Sequence, residues 1–245
     1  MKVIPLSEGA FTVDKTKKFI PFDINNDKLQ ERSTGSLLVE IQPFVIVTSK
    51  DILLLDTGLG YINTDGVLQI HQNLLNNGID PLSVTKVLLS HLHKDHSGGI
   101  SHLENGRRVL SFTNAFYYIN KQEFDFALEN AKSSYITEDF ELLKNSAQLK
   151  FIEGKGEIDE YIKYEVTGGH CPFHQVFLIE EDGEKIFFGG DVAPQLQQLK
   201  NKFIAKYDYD GRRSMQLRQQ WKDEGVKQNW VFLFYHDIKS PVFKF

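Results

Sequence analysis

The chain has 245 residues, 41% of them apolar and 12% aromatic, enough for a large buried core and too much for a disordered or fibrous protein. Its net charge of -5, from 28 Lys and Arg against 33 Asp and Glu, gives no electrostatic drive toward nucleic acid or an anionic membrane and leaves small-molecule substrates open. One cysteine excludes an internal disulfide.

In chain order, the opening MKVIPLSEGAFTV interrupts its apolar stretch at Pro5, Ser7 and Glu8, so no secretory core is read there and a cytoplasmic protein is expected. Strand-like runs then recur as SLLVEIQPFVIV, DILLLD, KVLLS, FYYI, VFLIE, KIFFGGD and WVFLFYHD. All are far shorter than the roughly 20 residues of a membrane span. Several are solidly apolar, which suits strands covered on both faces. Between them, GVLQIHQNLLNNGIDP puts Val67, Ile70 and Leu74 on one helical face and stops at Gly78 and Pro81. NKQEFDFALENAK and EDFELLKN read as helices of an insertion over about 113–150. Its aromatics Phe116, Tyr117, Phe124 and Phe126 are core by default, with a pocket wall as the alternative. DGRRSMQLRQQWKDEG predicts a late helix with Asp210 as N-cap and Gly225 as C-cap. Without a repeat or linker the chain reads as one domain over 1–245, and strands alternating with helices imply layered α/β packing.

The densest chemistry lies in SHLHKDHSGG, residues 90–99. His91, His93 and Asp95 alternate, so an extended backbone would aim them to one side. His96 follows beside Ser97, Gly98 and Gly99, whose glycines permit a tight turn. Imidazoles with a carboxylate suit a borderline metal such as zinc, whereas structural zinc prefers thiolates and the lone Cys171 belongs to no C-x-x-C pair. Further donors end later apolar runs: His170 after YEVTGG, Asp191 after KIFFGG and His236 after WVFLFY. Seven donors suit two metals better than one. Of the rest, Cys171 reads as a buried thiol, His174 as a hydrogen-bonded structural residue, and His71 and His102 as solvated.

HLHKDH matches the H-x-H-x-D-H hallmark of the metallo-β-lactamase superfamily, and LLLDTG, TGGH, GGD and the final YHD follow in the expected positions. The chain resembles that superfamily over nearly its whole length. Within it, SHLHKDHSGG and KYDYDGRRSMQLR look most like the acyl-homoserine lactonase and organophosphate hydrolase branch. The resemblance implies an αβ/βα four-layer sandwich with two divalent ions at one edge, zinc first, then manganese, iron or cobalt. His91, His93 and His170 would hold one ion and Asp95, His96 and His236 the other, with Asp191 bridging. Paired cations about 3.5–4 Å apart make a shared water available as hydroxide for attack on a carbonyl or phosphoryl centre. Asp95 would steer that water's proton, and Asp56 would receive an N–H from a ligand histidine.

Other branches fit less well. Secreted β-lactamases carry Cys where Asp191 stands, glyoxalase II adds a C-terminal helical domain, RNA-processing members add basic insertions, and flavo-di-iron reductases place Glu where Lys94 stands. Lactonases carry a Tyr soon after the bridging aspartate; here the stretch is DVAPQLQQ, leaving Tyr207, Tyr209 or Tyr235 to replace it. The expectation is a dinuclear metal hydrolase of small esters, lactones or organophosphates, with a small-molecule partner and a homodimer left open. The alternative is a redox di-iron or thiol-oxidising protein on the same scaffold.

Overall fold

The computed structural model describes residues 1–132 and 134–245. Strand β1 (Lys2–Pro5) precedes β2 (Gly9–Val13), β3 (Phe19–Pro21) and β4 (Leu37–Ile41), the last three forming a small sheet in the order β3-β2-β4. Then come β5 (Phe44–Val47), β6 (Ile52–Leu55), α1 (Gln69–Asn76), β7 (Lys86–Leu88), the one-turn helix α2 (Lys94–Ser97) and the hairpin β8 (Ser101–Glu104) and β9 (Arg107–Leu110). β10 (Phe116–Asn120), α3 (Lys121–Glu129), α4 (Thr137–Phe140) and β11 (Leu149–Ile152) complete a first six-stranded sheet, β1-β5-β6-β7-β10-β11. The second half supplies β12 (Lys155–Ile158), β13 (Ile162–Val166), β14 (Gln175–Glu181), β15 (Glu184–Phe188), α5 (Leu196–Lys200), α6 (Gly211–Gln228), β16 (Val231–Leu233) and β17 (Val242–Lys244). Its strands pair in chain order as a second six-stranded sheet.

Side-chain alternation explains why the strand runs are solidly apolar. On the first sheet Val45, Leu54 and Val87 face outward, onto Ile70 and Leu74 of α1 and Phe124 of α3. Phe44, Ile46, Leu53, Leu55 and Leu88 face inward and meet Phe177, Ile179, Phe188 and Leu233 of the second sheet. The outer face of that sheet, Val176, Phe187 and Phe232, is covered by Leu196 and Leu199 of α5 and Trp221 of α6. Each such side chain contributes about 1.5–3 kcal/mol by leaving water. Helix, sheet, sheet, helix is the expected αβ/βα sandwich.

Several local expectations change. The stretch 113–150, expected as a helical insertion, contains β10 and the start of β11, parallel neighbours in the first sheet. Its helices are therefore the crossover between two strands of the fold. Tyr117 and Phe124 are core, Phe126 is half-buried against Tyr135 and Phe173, and Phe116 is exposed. α6 does begin at Asp210, whose Oδ1 accepts from Arg213 N at 2.9 Å. It ends at left-handed Asn229, not at Gly225, which lies inside the helix where a Cβ would come within 2.3 Å of Phe232. His71 and His102 are half-buried rather than solvated, and His71 Nε2 bonds Ser111 O at 2.9 Å. Among the described residues no helix is long and apolar enough to cross a membrane.

Candidate metal centre

β6, β7, β10 and β11 run parallel, as do β15 and β16, so their connections deliver side chains to common strand ends. His91 lies just beyond β7, and His93 is the extended residue preceding α2. The expected alternation stops there: His96 N and Ser97 N both donate to His93 O, at 2.8 and 2.9 Å, so Asp95 and His96 project from a helical turn. Gly98 and Gly99 serve close packing rather than tight turning. A Cβ on Gly99 would lie 2.2 Å from Thr57 O, and one on Gly98 2.4 Å from the Leu59 carbonyl. His170 follows β13 through Gly168 and Gly169, which hold left-handed φ of 62° and 89°. Asp191 follows β15 after Gly190, and His236 follows β16.

All seven predicted donors come together. His91, His93 and His170 form one group, Asp95, His96 and His236 a second, and His91, His96 and Asp191 a third between them, ligand atoms within each group lying within 4.8 Å. His93 Nδ1 and His170 Nε2 are 3.0 Å apart. Asp191 presents one oxygen to each side: Oδ2 lies 3.3 Å from His170 Nε2, while Oδ1 lies 3.2 Å from His96 Nε2 and 3.0 Å from His236 Nε2. Asp95 Oδ2 is 3.7 Å from His96 Nε2 and 3.6 Å from His236 Nε2.

Four imidazoles are anchored through Nδ1, which turns Nε2 inward. His96 Nδ1 bonds Asp56 Oδ2 at 2.7 Å, His170 Nδ1 bonds Asp208 Oδ1 at 3.1 Å, His236 Nδ1 bonds Glu40 O at 2.7 Å, and His91 Nδ1 meets Ser90 Oγ at 3.0 Å. Asp56 is fully buried and also accepts from Ser90 N and Ser90 Oγ, each at 2.7 Å. Asp208 was missed in the sequence. Tyr209 N and Asp210 N donate to His170 O and Gly169 O, so backbone pairing between distant segments sets Asp208 beside His170.

Electrostatics favour a cation here. Burial, then neighbouring imidazoles, push His91 and His93 well below the ordinary histidine range. Burial also pulls on His96 and His236, but Asp191 and Asp95 outweigh it and hold both above that range. Burial would raise Asp191, yet His236, His96 and His170 hold its carboxyl well below the usual range. His91 Nε2, His96 Nε2 and Asp191 Oδ1 are buried without a hydrogen-bond partner. Inward lone pairs on nitrogen and oxygen fit a borderline divalent ion.

The neighbours sort as follows. His174 Nε2 accepts from Asp191 N at 3.1 Å, so it supports the aspartate loop. Cys171 is buried, its thiol 3.4 Å from Glu123 Oε2. Tyr235 stacks on His96 and donates to Asp95 O at 2.6 Å, directing its phenol away from the open cavity. Tyr209 is 75% exposed and off the main cavity. Tyr207 does line it, and its hydroxyl accepts from Gln198 Nε2 at 3.0 Å. The cavity encloses about 700 Å³ with His93, Asp95, His170, Asp191 and His236 on its floor. None of Phe116, Tyr117, Phe124 and Phe126 lines it.

Residues 40–234 match the metallo-beta-lactamase superfamily. The N-acyl homoserine lactonase AiiA of Bacillus thuringiensis subsp. kurstaki is 24% identical over 227 residues, covering 84% of this chain and 85% of that protein. A probable metal-dependent hydrolase from Staphylococcus aureus superposes with a TM-score of 0.80 at 23% identity, over 99% of this chain and 91% of the other. AidC, a dizinc quorum-quenching lactonase solved with a product, N-hexnoyl-L-homoserine, superposes with a TM-score of 0.74 at 19% identity, over 98% and 88%. These relatives are hydrolases by name, and the redox alternative is not favoured. The chain belongs to the metallo-β-lactamase superfamily and is one of its metal-dependent hydrolases.

Proposed function

We propose that the seven donors hold two divalent cations and that the chain hydrolyses small esters or lactones. The observation that carries this reading is the divided Asp191 carboxylate, with one oxygen toward His170 and the other toward His96 and His236. On that reading His91, His93 and His170 serve one ion, Asp95, His96 and His236 the other, and Asp191 both. Zinc is the first candidate, in keeping with the nitrogen-rich donor set. Once bound, two such ions would make hydroxide available near neutral pH and would polarise a carbonyl.

The chain's own residues do the remaining work. Asp95, at the cavity floor, can take the proton of an attacking water. Asp56 and Asp208 hold His96 and His170 with Nε2 inward. Burial lifts the Tyr207 phenol to about 12, so it remains a hydrogen-bond donor facing the cavity, where it can meet charge developing on a carbonyl oxygen. The lactonase names of AiiA and AidC support acyl-homoserine lactones as the first substrates to test.

The test combines elemental analysis with hydrolysis assays on lactones, aryl esters and phosphotriesters. Two ions per chain and chelator-sensitive turnover are expected, and Asp191→Ala should lose both ions and activity together. Normal metal stoichiometry in that variant would refute the shared-carboxylate reading.

A further inference from the structure

Four lysines, Lys15, Lys17, Lys94 and Lys206, line the cavity in a chain of net charge -5. The carboxylates lining it are Asp14, Asp95 and Asp191, and the last two belong to the donor cluster on the floor. Asp14 is engaged within its own turn, accepting from Thr16 N at 2.8 Å and Thr16 Oγ1 at 2.6 Å. Among the described residues the ion-paired lysines are others: Lys28, Lys86, Lys121, Lys155, Lys163 and Lys185. Outside the metal centre the wall therefore carries four ammonium groups against the single Asp14 carboxylate, a net positive charge.

These cations are placed by structure on two sides. Lys15 and Lys17 sit on the connection from β2 to β3, where Lys17 N donates to Asp14 O at 3.0 Å and Lys17 holds a left-handed φ of 60°. A residue with a Cβ adopts that conformation only where its turn compels it. Lys94 lies 5.6 Å from the Phe19 ring. Lys206 enters from the loop between α5 and α6, with Phe203 and Ile204. Phe19, Leu37, Phe203 and Ile204 add apolar wall to the same cavity, and the last three are 45%, 45% and 52% exposed. Apolar side chains open to water beside unpaired ammonium groups complement a ligand that is itself both apolar and anionic.

We propose that the substrate is an anionic amphiphile, an ester or lactone whose apolar chain covers Phe19, Leu37, Phe203 and Ile204 and ends in a carboxylate or phosphate at the lysines. This rests on the hydrolase reading above and adds a selectivity that a neutral acyl chain would not produce. Each exposed charge pair contributes a factor of about two to five, so two or three lysines acting together give a preference of about tenfold.

The experiment compares the para-nitrophenyl monoester of suberic acid with para-nitrophenyl octanoate, equal in chain length and differing by the terminal carboxylate, on the metal-loaded protein. The anionic ester should have the higher kcat/KM by about tenfold at low ionic strength, with the advantage shrinking in about 0.5 M NaCl. Lys17→Gln combined with Lys206→Gln should bring the ratio to about one. Equal kcat/KM for the two esters in the unaltered protein, or an undiminished ratio in the double variant, overturns the proposal. Calorimetry with suberic acid monoamide and octanamide reads the same contrast without turnover. If neither ester is hydrolysed, the hydrolase reading is decided by the lactone and phosphotriester assays above and calorimetry decides this one: tighter monoamide binding that the double variant weakens supports the anion site, and affinity indifferent to the two lysines refutes it.

Discussion

Asp56→Asn probes how the site fixes the orientation of its imidazoles. The native carboxylate accepts three hydrogen bonds, from Ser90 N, Ser90 Oγ and His96 Nδ1, all at 2.7 Å and all out of water. Asn preserves the shape and tolerates the left-handed φ of 55° at this position. It cannot preserve the acceptors. If its oxygen faces Ser90 N, its NH2 opposes His96 Nδ1–H; if it is turned around, the NH2 opposes Ser90 N–H. The first arrangement is relieved only by moving the His96 proton to Nε2, the atom that faces Asp191 and Asp95. Loss of such a carboxylate behind a metal-binding histidine costs about 10–100-fold in metal affinity, or about 1.4–2.7 kcal/mol. Competition against a chromogenic chelator should show one of the two proposed ions released more readily by that factor. Native affinity for both ions in Asp56→Asn would refute the tautomer argument.

Gly99→Ala should destabilise the fold by about 1–3 kcal/mol, because the new methyl would meet Thr57 O at 2.2 Å on the loop that follows Asp56; a lowered urea midpoint with unchanged slope checks this. Burial raises the Glu8 carboxyl to about 8 from an ordinary 4.5, with the Leu59 N–H opposing and the Asp95 charge adding to the rise. A raised acid pKa binds its proton more tightly in the folded state, so the contribution is complete below about pH 4.5 and is lost as pH rises toward 8. Glu8→Gln keeps an acceptor for Leu59 N and cannot ionise; in chelator-treated protein its unfolding midpoint should exceed that of the unaltered chain above pH 8, and an identical pH profile would refute the assignment.

What the sequence could reveal followed from strand geometry. A donor directly after an apolar run must emerge at a strand end, and parallel strands bring such ends to one rim, so His91, His170, Asp191 and His236 were recognisable from position alone. Asp95 and His96 were recognisable as donors but not in their conformation, because the turn at Lys94–Ser97 replaces the extended backbone that alternation suggested. Asp208 was hidden because its role depends on pairing between residues 169–170 and 209–210, which no local pattern records. The cavity wall was hidden for a related reason. It is assembled from the β2–β3 connection, the start of β4 and the segment 194–207, each unremarkable alone, whereas the aromatics of 113–150 are spent largely on core packing. Gly98, Gly99 and Gly225 were visible as glycines, but the nearby backbone and ring that require them were not.

The donors also divide between the two halves of the sandwich. His91, His93, Asp95 and His96 come from the segment following β7 of the first sheet, while His170, Asp191 and His236 follow β13, β15 and β16 of the second. Each proposed ion would therefore cross-link the sheets, since neither half offers a full donor set by itself. An unfolded chain cannot hold these groups in register, so binding must favour the packed state by about 2.7 kcal/mol when free metal is a hundred times Kd. Without an ion, the same rim would hold His91 and His93 as neutral rings beside a raised His96 and an ionised Asp191, His93 half-buried and the other three buried. Removing metal with a chelator should accordingly lower the thermal midpoint by several degrees, and readdition should restore it in proportion to free metal. Asp191→Ala should have a midpoint insensitive to chelator. A chelator response in that variant equal to the unaltered protein's would show that the stabilising ion sits elsewhere, and the inter-sheet clamp would have to be abandoned.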